Sequence, residues 1–342
     1  MTAVLLNHGL ASVTEALRLL RTGRRLGEFQ LLAMRPAHLR LGASAEADIV
    51  LPELGKVAPE VYVQQLLQWC EQYKVTVFWP QFWLKTVLRY QTEFTQRGIH
   101  LILPCPDLAT FALLQDKVQV YDAVRGRLPP AWLPDYRRVT DSADFAAALA
   151  ELAPRHERLC IKPTVGVYGG GFRILSDNSP VQRWLANDTL HARPKEVAAW
   201  LAKTPTACLL LEYLPGAERS IDCLACHGEL VAAVVRRKAS PAPWQWIEDH
   251  PESLELARLL CRQFQLNGVI NIQTRERMLQ DGRVQPVLLE INPRMSGGIG
   301  MSSAAYNLPL AAVRQALGQA LDLPPVRTGF QVRLAETVAV VG

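Results

Sequence analysis

The sequence predicts a parallel α/β domain followed by an α+β region built on antiparallel hairpins. The first hundred or so residues alternate short apolar runs with helical periodicity, which is typical of a parallel sheet covered by helices. Farther along, turn signals at His227-Gly228 and Asp281-Gly282 each separate two strand-like runs, as expected for hairpins. A length of 342 residues with 49% apolar and 20% charged side chains fits a globular chain of about two domains.

Periodicity and helix-stop signals define the elements of the first domain. In chain order they are a strand over Ala3–Leu6, a helix from Val13 to its stop at Gly23, a strand over Phe29–Met34, a helix around Val63–Cys70, a strand over Val75–Trp79, a helix over Trp83–Arg97 and a strand over Ile99–Leu103. This layout is Rossmann-like. The turn at residues 7–11 holds one glycine, whereas a dinucleotide fingerprint needs three, so nicotinamide or flavin binding and an oxidoreductase are disfavoured.

A helical stretch over residues 107–126 and an extended proline-containing connection mark a change of domain near residues 104–128. The elements predicted beyond it are helices over Ala143–Leu152 and Pro194–Lys203, strands over Leu159–Pro163, Phe172–Leu175 and Ala207–Tyr213, and hairpins over Glu218–Lys238 and Gly268–Asn292.

Charge and cysteine content exclude several classes of function. The 37 cationic side chains comprise 8 lysines and 29 arginines, the formal net charge is +5, and Arg236–Lys238 is the longest like-charge run, so we expect no nucleic-acid surface. No apolar run reaches the roughly 18 residues of a membrane span, and the N-terminus does not read as a signal peptide; we therefore expect a cytoplasmic protein. Seven cysteines, mostly within apolar runs, predict reduced, buried thiols.

A glycine-rich loop follows a lysine at the end of a predicted strand. Residues 162–172 read Lys-Pro-Thr-Val-Gly-Val-Tyr-Gly-Gly-Gly-Phe, with Lys162 ahead of Gly169, Gly170 and Gly171. A point charge beside closely approaching backbone N–H groups suits a polyphosphate, although the order differs from a P-loop. The alternative is a flexible hairpin turn.

The last hairpin predicts a cluster of oxygen ligands. If Asp281-Gly282 is a two-residue turn, Gln280 faces Arg283 and Gln273 faces Glu290, while alternation places Asn292 on the face of Glu290. One carboxylate and two amides on a sheet face suit Mg²⁺. The alternative, an ordinary polar face, is weakened by the apolar run at residues 286–289. Arg294 follows, positioned to neutralise charge on a transferred phosphoryl group.

Residues 223–227, Cys-Leu-Ala-Cys-His, satisfy the pattern for covalent haem attachment. That reading is disfavoured because haem attachment needs export and because these residues fall in a strand rather than on a turn or helix start.

Together these features resemble the ATP-grasp superfamily, most closely the subgroup of carbamoyl phosphate synthetase and biotin carboxylase. The most specific match is Gln273 with the run Glu290-Ile291-Asn292-Pro293-Arg294. The resemblance implies a Rossmann-like domain over residues 1–110, a linker helix and lid over 111–210, and an antiparallel-sheet subdomain with the metal site over 211–342.

The resemblance also assigns roles to individual residues. Mg²⁺ or Mn²⁺ would be held by Gln273, Glu290 and Asn292, and catalysis would be served by Arg294, Lys162 and Lys238. ATP would be bound by Lys117, Lys162, Gly169, Gly170, Gly171, Glu212, Tyr213, Leu214, Glu218 and Arg236.

The implied activity is an ATP-dependent ligase. ATP would phosphorylate a small-molecule carboxylate to an acyl phosphate, and an amine or other nucleophile would then displace phosphate, with formation of a C–N bond favoured. Partners would be these two small molecules, with neither nucleic acid nor membrane, and a homodimer is compatible with the sequence. The alternative is a non-catalytic module that binds and senses ATP.

Overall fold

The computed structural model describes residues 2–9, 12–36, 47–166, 169–239, 243–279 and 281–334. The chain divides into two compact units: unit 1 comprises residues 1–112, 218–273 and 292–342, and unit 2 comprises residues 113–217 and 274–291. The first predicted domain boundary, at residue 110, lies beside the first observed division. The three-part division itself stays a prediction.

Unit 1 opens with a five-stranded parallel sheet, as predicted. Its strands are Ala3–Leu6 (β1), Gln30–Arg35 (β2), Ile49–Pro52 (β3), Val75–Trp79 (β4) and His100–Leu101 (β5). Their order is β3-β2-β1-β4-β5. The helices are Ser12–Gly23 (α1), Pro59–Gln72 (α2), Leu84–Arg89 (α3), Gln91–Thr95 (α4) and Leu108–Gln115 (α5), the last of which runs into unit 2. All four residues of β1 are buried, which is typical of a parallel strand covered on both faces.

Two expectations for this sheet need correction. Strand β3 was not predicted, because its four residues end at a proline and show no alternation. The single helix predicted over Trp83–Arg97 is divided at Tyr90 into α3 and α4. Trp83 adopts a left-handed conformation with φ of 59°, so the first of the two helices begins only at Leu84.

Unit 2 carries a second five-stranded sheet. Its elements are Lys117–Val124 (α6), Tyr136–Val139 (β6), Ser142–Leu152 (α7), Leu159–Pro163 (β7), Arg173–Leu175 (β8), Pro180–Leu185 (α8), His191–Ala192 (β9), Pro194–Lys203 (α9) and Cys208–Glu212 (β10). The strand order is β6-β10-β7-β8-β9. Ile161 and Leu210 pack with residues of α7 and α9 in one buried cluster. Alternation therefore places Lys162, paired with Leu209, on the other face of this sheet.

A six-stranded sheet follows, in the order β15-β14-β11-β12-β13-β16. Its strands are Glu218–Cys226 (β11), Glu229–Lys238 (β12), Trp244–Glu248 (β13), Gly268–Met278 (β14), Val284–Asn292 (β15) and Phe330–Arg333 (β16), accompanied by the helices Pro251–Phe264 (α10), Ile299–Ser303 (α11) and Leu308–Ala316 (α12). Strands β14 and β15 each run through both units. Among the described residues, no helix combines the length and apolar character needed to cross a membrane.

The first predicted hairpin has the expected turn. Cys226 pairs with Glu229, so His227 and Gly228 form a two-residue loop. Their φ angles of 45° and 89° are both positive, which is the signature of the type I′ turn that matches strand twist.

The second hairpin has a longer loop than the two-residue turn of the prediction. The Leu279 N–H donates to the Arg283 carbonyl at 2.8 Å, and the Gly282 N–H donates to the Leu279 carbonyl at 3.0 Å. Leu279 and Arg283 are thus joined by a backbone bond, and Gly282 has a positive φ of 81°, as expected where a hairpin loop is longer than two residues. Gln280, predicted to face Arg283, lies outside the described residues.

All seven cysteines are free thiols; six are buried and Cys226 is partly exposed. Burial raises the pKa of Cys70, Cys105, Cys160 and Cys261 to about 12. Cys223 lies in the interior of β11, and its burial likewise raises its thiol pKa. The five-residue haem-like run thus lies in a β-strand and its turn.

We expect a disulfide reagent such as Ellman's to label one thiol rapidly in the folded protein near pH 8, because a protonated, buried thiol does not attack disulfides. The fast phase should vanish in Cys226→Ser and persist in Cys223→Ser. Rapid labelling of several thiols in the native protein would contradict this expectation.

Candidate active site

Lys117 is held at the start of α6 by backbone and side-chain contacts within unit 2. Asp116 caps this helix, its carboxylate accepting from the Val118 and Gln119 N–H groups. The Lys117 N–H donates to the Thr164 carbonyl at 3.0 Å, and its Nζ lies 3.4 Å from both the Gly166 carbonyl oxygen and Glu290 Oε2. At 8% exposure, this lysine is an ammonium fixed beside a carboxylate rather than a solvated surface charge.

Lys162 reaches the same strand from β7. Its Nζ lies 3.5 Å from the carbonyl oxygen of Leu289, the residue before Glu290. The Tyr121 hydroxyl also donates to this carbonyl, at 2.6 Å. Burial raises the pKa of Tyr121 well above its usual range, and the Glu290 carboxylate reinforces the shift, so the hydroxyl stays a donor. Two ammonium groups thus converge on two consecutive residues of β15.

The predicted glycine loop follows Lys162, and its Gly166 carbonyl oxygen lies 3.4 Å from Lys117 Nζ. Gly169 and Gly171 both have positive φ, and a Cβ at Gly171 would lie 2.8 Å from the ring of Pro163. Only glycine fits this second position without displacing the proline. Among the described residues, no atom lies within 4 Å of where a Cβ on Gly169 would be. Residues 167 and 168 of the loop lie outside the described residues.

Glu212, predicted to form part of an adenine-binding hinge, has an engaged side chain. It is buried, forms an ion pair with Arg277, and accepts from the Asp135 N–H at 2.8 Å. These contacts engage both carboxylate oxygens, and the Glu212 N–H itself donates to the Asp135 carbonyl at 3.1 Å.

The next two hinge residues also have defined neighbours. The guanidinium carbons of Arg158 and Arg275 lie 4.6 Å and 5.5 Å from the centroid of the Tyr213 ring, a cation–π arrangement. Its N–H donates to the Arg158 carbonyl at 2.9 Å. Leu214 is buried. The adenine-binding role of residues 212–214 stays a prediction.

In unit 1, Gln273 and Asn292 meet at a shared acceptor. Gln273 Nε2 lies 3.2 Å and Asn292 Nδ2 lies 3.3 Å from the side-chain oxygen of Asn271. Arg294 contacts the other side of Asn292, with Nη2 at 3.4 Å from Asn292 Oδ1. Two predicted metal ligands and the predicted catalytic arginine therefore lie together within this unit.

Arg236, predicted to bind ATP, is almost fully buried instead of presenting its guanidinium to solvent. It pairs with Asp222 at 2.9 Å and donates to the hydroxyls of Ser220, Ser296 and Ser302 and to Gln245. A Cβ at Gly298 would lie 2.5 Å from this guanidinium, so the segment after Arg294 packs directly on it. Arg236 is committed to a buried network, and direct phosphate contact stays a prediction.

Lys238 and Glu218, assigned to catalysis and to ribose binding, form an ion pair across β11 and β12. A ligand that used either group would have to replace this partner. Both roles stay predictions.

The donor set fits a hard divalent cation. Carboxylate and amide oxygens suit Mg²⁺, and the amide NH₂ groups of Gln273 and Asn292 face Asn271. Their oxygens are therefore the candidate ligands, and Asn292 Oδ1 also accepts from Arg294. Among the described residues, no cluster of three or more His, Cys, Asp or Glu side chains could hold a metal. The predicted ligands, Gln273, Glu290 and Asn292, are one carboxylate and two amides, and their role as metal ligands stays a prediction.

Several structural partners were missed by sequence reasoning. Asn271 interrupts the apolar run Val269–Ile272 and shares the strand face of Gln273, a signal that alternation could have supplied. Tyr121 lies one helical turn after Lys117. Nothing in the local pattern could have paired Arg277 with Glu212, because they lie 65 residues apart.

Comparison with known proteins identifies a family match and a relative for part of the chain. Residues 204–338 match a family model described as ATP-grasp in the biosynthetic pathway with Ter operon. The chain is 36% identical over 137 residues to carnosine synthase 1 of Gallus gallus, in a match that covers 35% of this chain and 14% of that much longer protein.

Two solved structures are similar over almost the whole chain. Biotin carboxylase from Campylobacter jejuni, in a β,γ-ATP complex, matches at a TM-score of 0.65 with 13% identity over 96% of this chain and 74% of its own. The L-amino acid ligase of Bacillus licheniformis matches at 0.61 with 13% identity over 93% and 74%. The chain therefore has the ATP-grasp fold, and residues 204–338 match an ATP-grasp family model, as the predicted resemblance implies.

Proposed function

We propose that this chain is an ATP-dependent ligase that joins a small-molecule carboxylate to an amine, releasing ADP and phosphate. The observation that carries the proposal is the convergence of Lys117 and Lys162 on residues 289 and 290 of β15. Two buried or half-buried ammonium groups beside a carboxylate suit a polyphosphate that arrives with a divalent cation. The named activities of carnosine synthase and L-amino acid ligase support ligation of a carboxylate to an amine.

The proposed reaction has two displacements. A carboxylate oxygen of the substrate attacks the γ-phosphorus of ATP, the bond to the β-phosphate oxygen breaks, and ADP leaves. The amine nitrogen of the second substrate then attacks the acyl carbon, phosphate departs with the C–O bond electrons, and the nitrogen loses a proton. Lys117 and Lys162 would neutralise the nucleotide phosphates, and Arg294 would stabilise charge on the transferred group.

Gln273, Glu290 and Asn292 would hold Mg²⁺ or Mn²⁺, which when bound neutralises and orients phosphate oxygens. The glycine loop at residues 169–171 would exclude water from the acyl phosphate, which would otherwise hydrolyse. The chain's own residues therefore bind, orient and neutralise, and no side-chain nucleophile is required.

Nucleotide affinity tests the lysine assignments. We expect Lys162→Met to weaken MgATP binding by about 10- to 100-fold in calorimetry, because a charge-assisted hydrogen bond contributes about 1.5–3 kcal/mol. Lys203→Met, on exposed α9 of the same unit, is the matched control and should bind as the unmodified chain does. Equal affinity in all three proteins would remove Lys162 from the site.

The reaction itself is tested by incubating the chain with ATP, Mg²⁺ and pairs of carboxylates and amines, with amino acids first. ADP release with a new condensed product, identified by mass, is the expected result. Tight MgATP binding with no product from any pair would favour an ATP-sensing module instead.

A further inference from the structure

We propose that Asn271 is a positioning residue, which orients the side-chain amides of Gln273 and Asn292 so that each presents its oxygen, and not its NH₂ group, to a divalent cation. The inference rests on the metal role proposed above for those two amides. It concerns residues of unit 1 alone.

The orientation of the Asn271 amide is determined by its surroundings. Its Nδ2 lies 2.9 Å from Asp222 Oδ1, 3.4 Å from the Ile221 carbonyl oxygen and 2.8 Å from the Ser220 hydroxyl. A carboxylate and a carbonyl can only accept hydrogen bonds, so the NH₂ group of Asn271 must face them. With 1% of its surface exposed, Asn271 has no water to compensate a reversed amide.

The opposite end of Asn271 then dictates the two neighbouring amides. Its Oδ1 can only accept, and the nearest atoms of Gln273 and Asn292 lie 3.2 Å and 3.3 Å away. Both must therefore present NH₂ groups to it, which turns both side-chain oxygens away from Asn271. A reversed amide would set two oxygens against each other and would offer the cation an NH₂ group, which cannot be a ligand.

The source of this order is a buried ion pair. Asp222 is held by Arg236 at 2.9 Å and by the hydroxyls of Ser296 and Ser302 at 3.0 Å and 2.5 Å. These contacts fix the position of the Asp222 carboxylate, which orients the amide of Asn271 and, through it, the amides of Gln273 and Asn292. The buried Asp222–Arg236 pair therefore helps to set the orientation of the side-chain amides.

Manganese affinity tests the proposal without relying on turnover. Mn²⁺ binding is titrated by electron paramagnetic resonance in the presence of ADP, for the unmodified chain, Asn271→Ala and Asn271→Ser. The serine variant keeps a donor for Asp222 but cannot reach both amides, and it serves if the alanine variant does not fold. We expect about 10- to 100-fold weaker Mn²⁺ binding in both variants, as is typical when an orienting partner of a metal ligand is lost.

The matched control is Asn267→Ala, at the residue just before β14. Asn267 donates to the Leu103 carbonyl at 3.1 Å and accepts from the His227 N–H at 3.2 Å, away from the two amides. It should leave Mn²⁺ affinity within about twofold, well below the change expected for an orienting partner. Unchanged affinity in a folded Asn271 variant, or an equal loss in Asn267→Ala, would overturn the proposal.

Failure of the ligase proposal gives a different result. An unmodified chain that binds Mn²⁺ and ADP but forms no product contradicts ligation, and the Asn271 comparison is still decided by Mn²⁺ affinity. An unmodified chain that binds no Mn²⁺ contradicts both.

Discussion

Arg294→Ala is expected to lower kcat of ligation by about 10²- to 10³-fold, because loss of one preorganised donor to transition-state charge has an effect of that size. The Arg294 side chain donates to the Met295 carbonyl at 3.1 Å and to Asn292 Oδ1 at 3.4 Å, so the end of β15 and the residue after Arg294 position it. Turnover assays with saturating ATP and both substrates measure the effect. The KM for ATP should change much less than kcat, because a group that acts in the transition state contributes little to ground-state binding.

Glu290→Gln provides the companion measurement on β15. Removing its charge takes away the carboxylate beside Lys117 and the proposed anionic metal ligand, and we expect at least about a 10²-fold loss of turnover. Glu229→Gln, at the exposed start of β12, is the matched control and should keep full activity. Near-normal turnover in either Arg294→Ala or Glu290→Gln would show that the roles are misassigned.

Arg236→Ala is expected to destabilise the protein by about 3–5 kcal/mol, because it leaves the Asp222 carboxylate buried without its partner. The side chains of Arg236 and Asp222 are 2% and 0% exposed, so water cannot compensate. Urea unfolding followed by circular dichroism measures the change. The loss of stability should appear as a lower urea concentration at the unfolding midpoint, with little change in the dependence of the unfolding free energy on urea concentration.

Arg237→Ala is the matched control on the adjacent residue. Arg237 pairs with Glu248 at 2.9 Å, but its side chain is 37% exposed. An exposed pair contributes about 0–1 kcal/mol, so this variant should unfold almost as the unmodified chain does. Equal destabilisation by both substitutions would contradict the structural role assigned to the Asp222–Arg236 pair.

Local sequence patterns predicted much of the fold. The strand Ala3–Leu6 and the helix Pro194–Lys203 have the predicted bounds, and the His227-Gly228 turn has the predicted length. In each case the signal lies within the element itself: an apolar run, a proline at a helix start, or a residue pair that tolerates positive φ. The loop length at Asp281-Gly282 was predicted wrongly, because the same dipeptide also occurs in longer hairpin loops. The loop length is set by the backbone bond between Leu279 and Arg283.

The sequence by itself determined the parallel first sheet, the hairpins that follow and the ATP-grasp resemblance, because alternation, helical period and turn residues act over short distances. Only the tertiary structure decided which polar groups become partners. In the folded chain Lys117 lies beside Glu290 and Lys162 beside the Leu289 carbonyl. Arg236 pairs with Asp222, and Gln273 and Asn292 both contact Asn271. A buried polar atom must find a partner wherever the folded chain offers one, and many of those partners lie dozens of residues away.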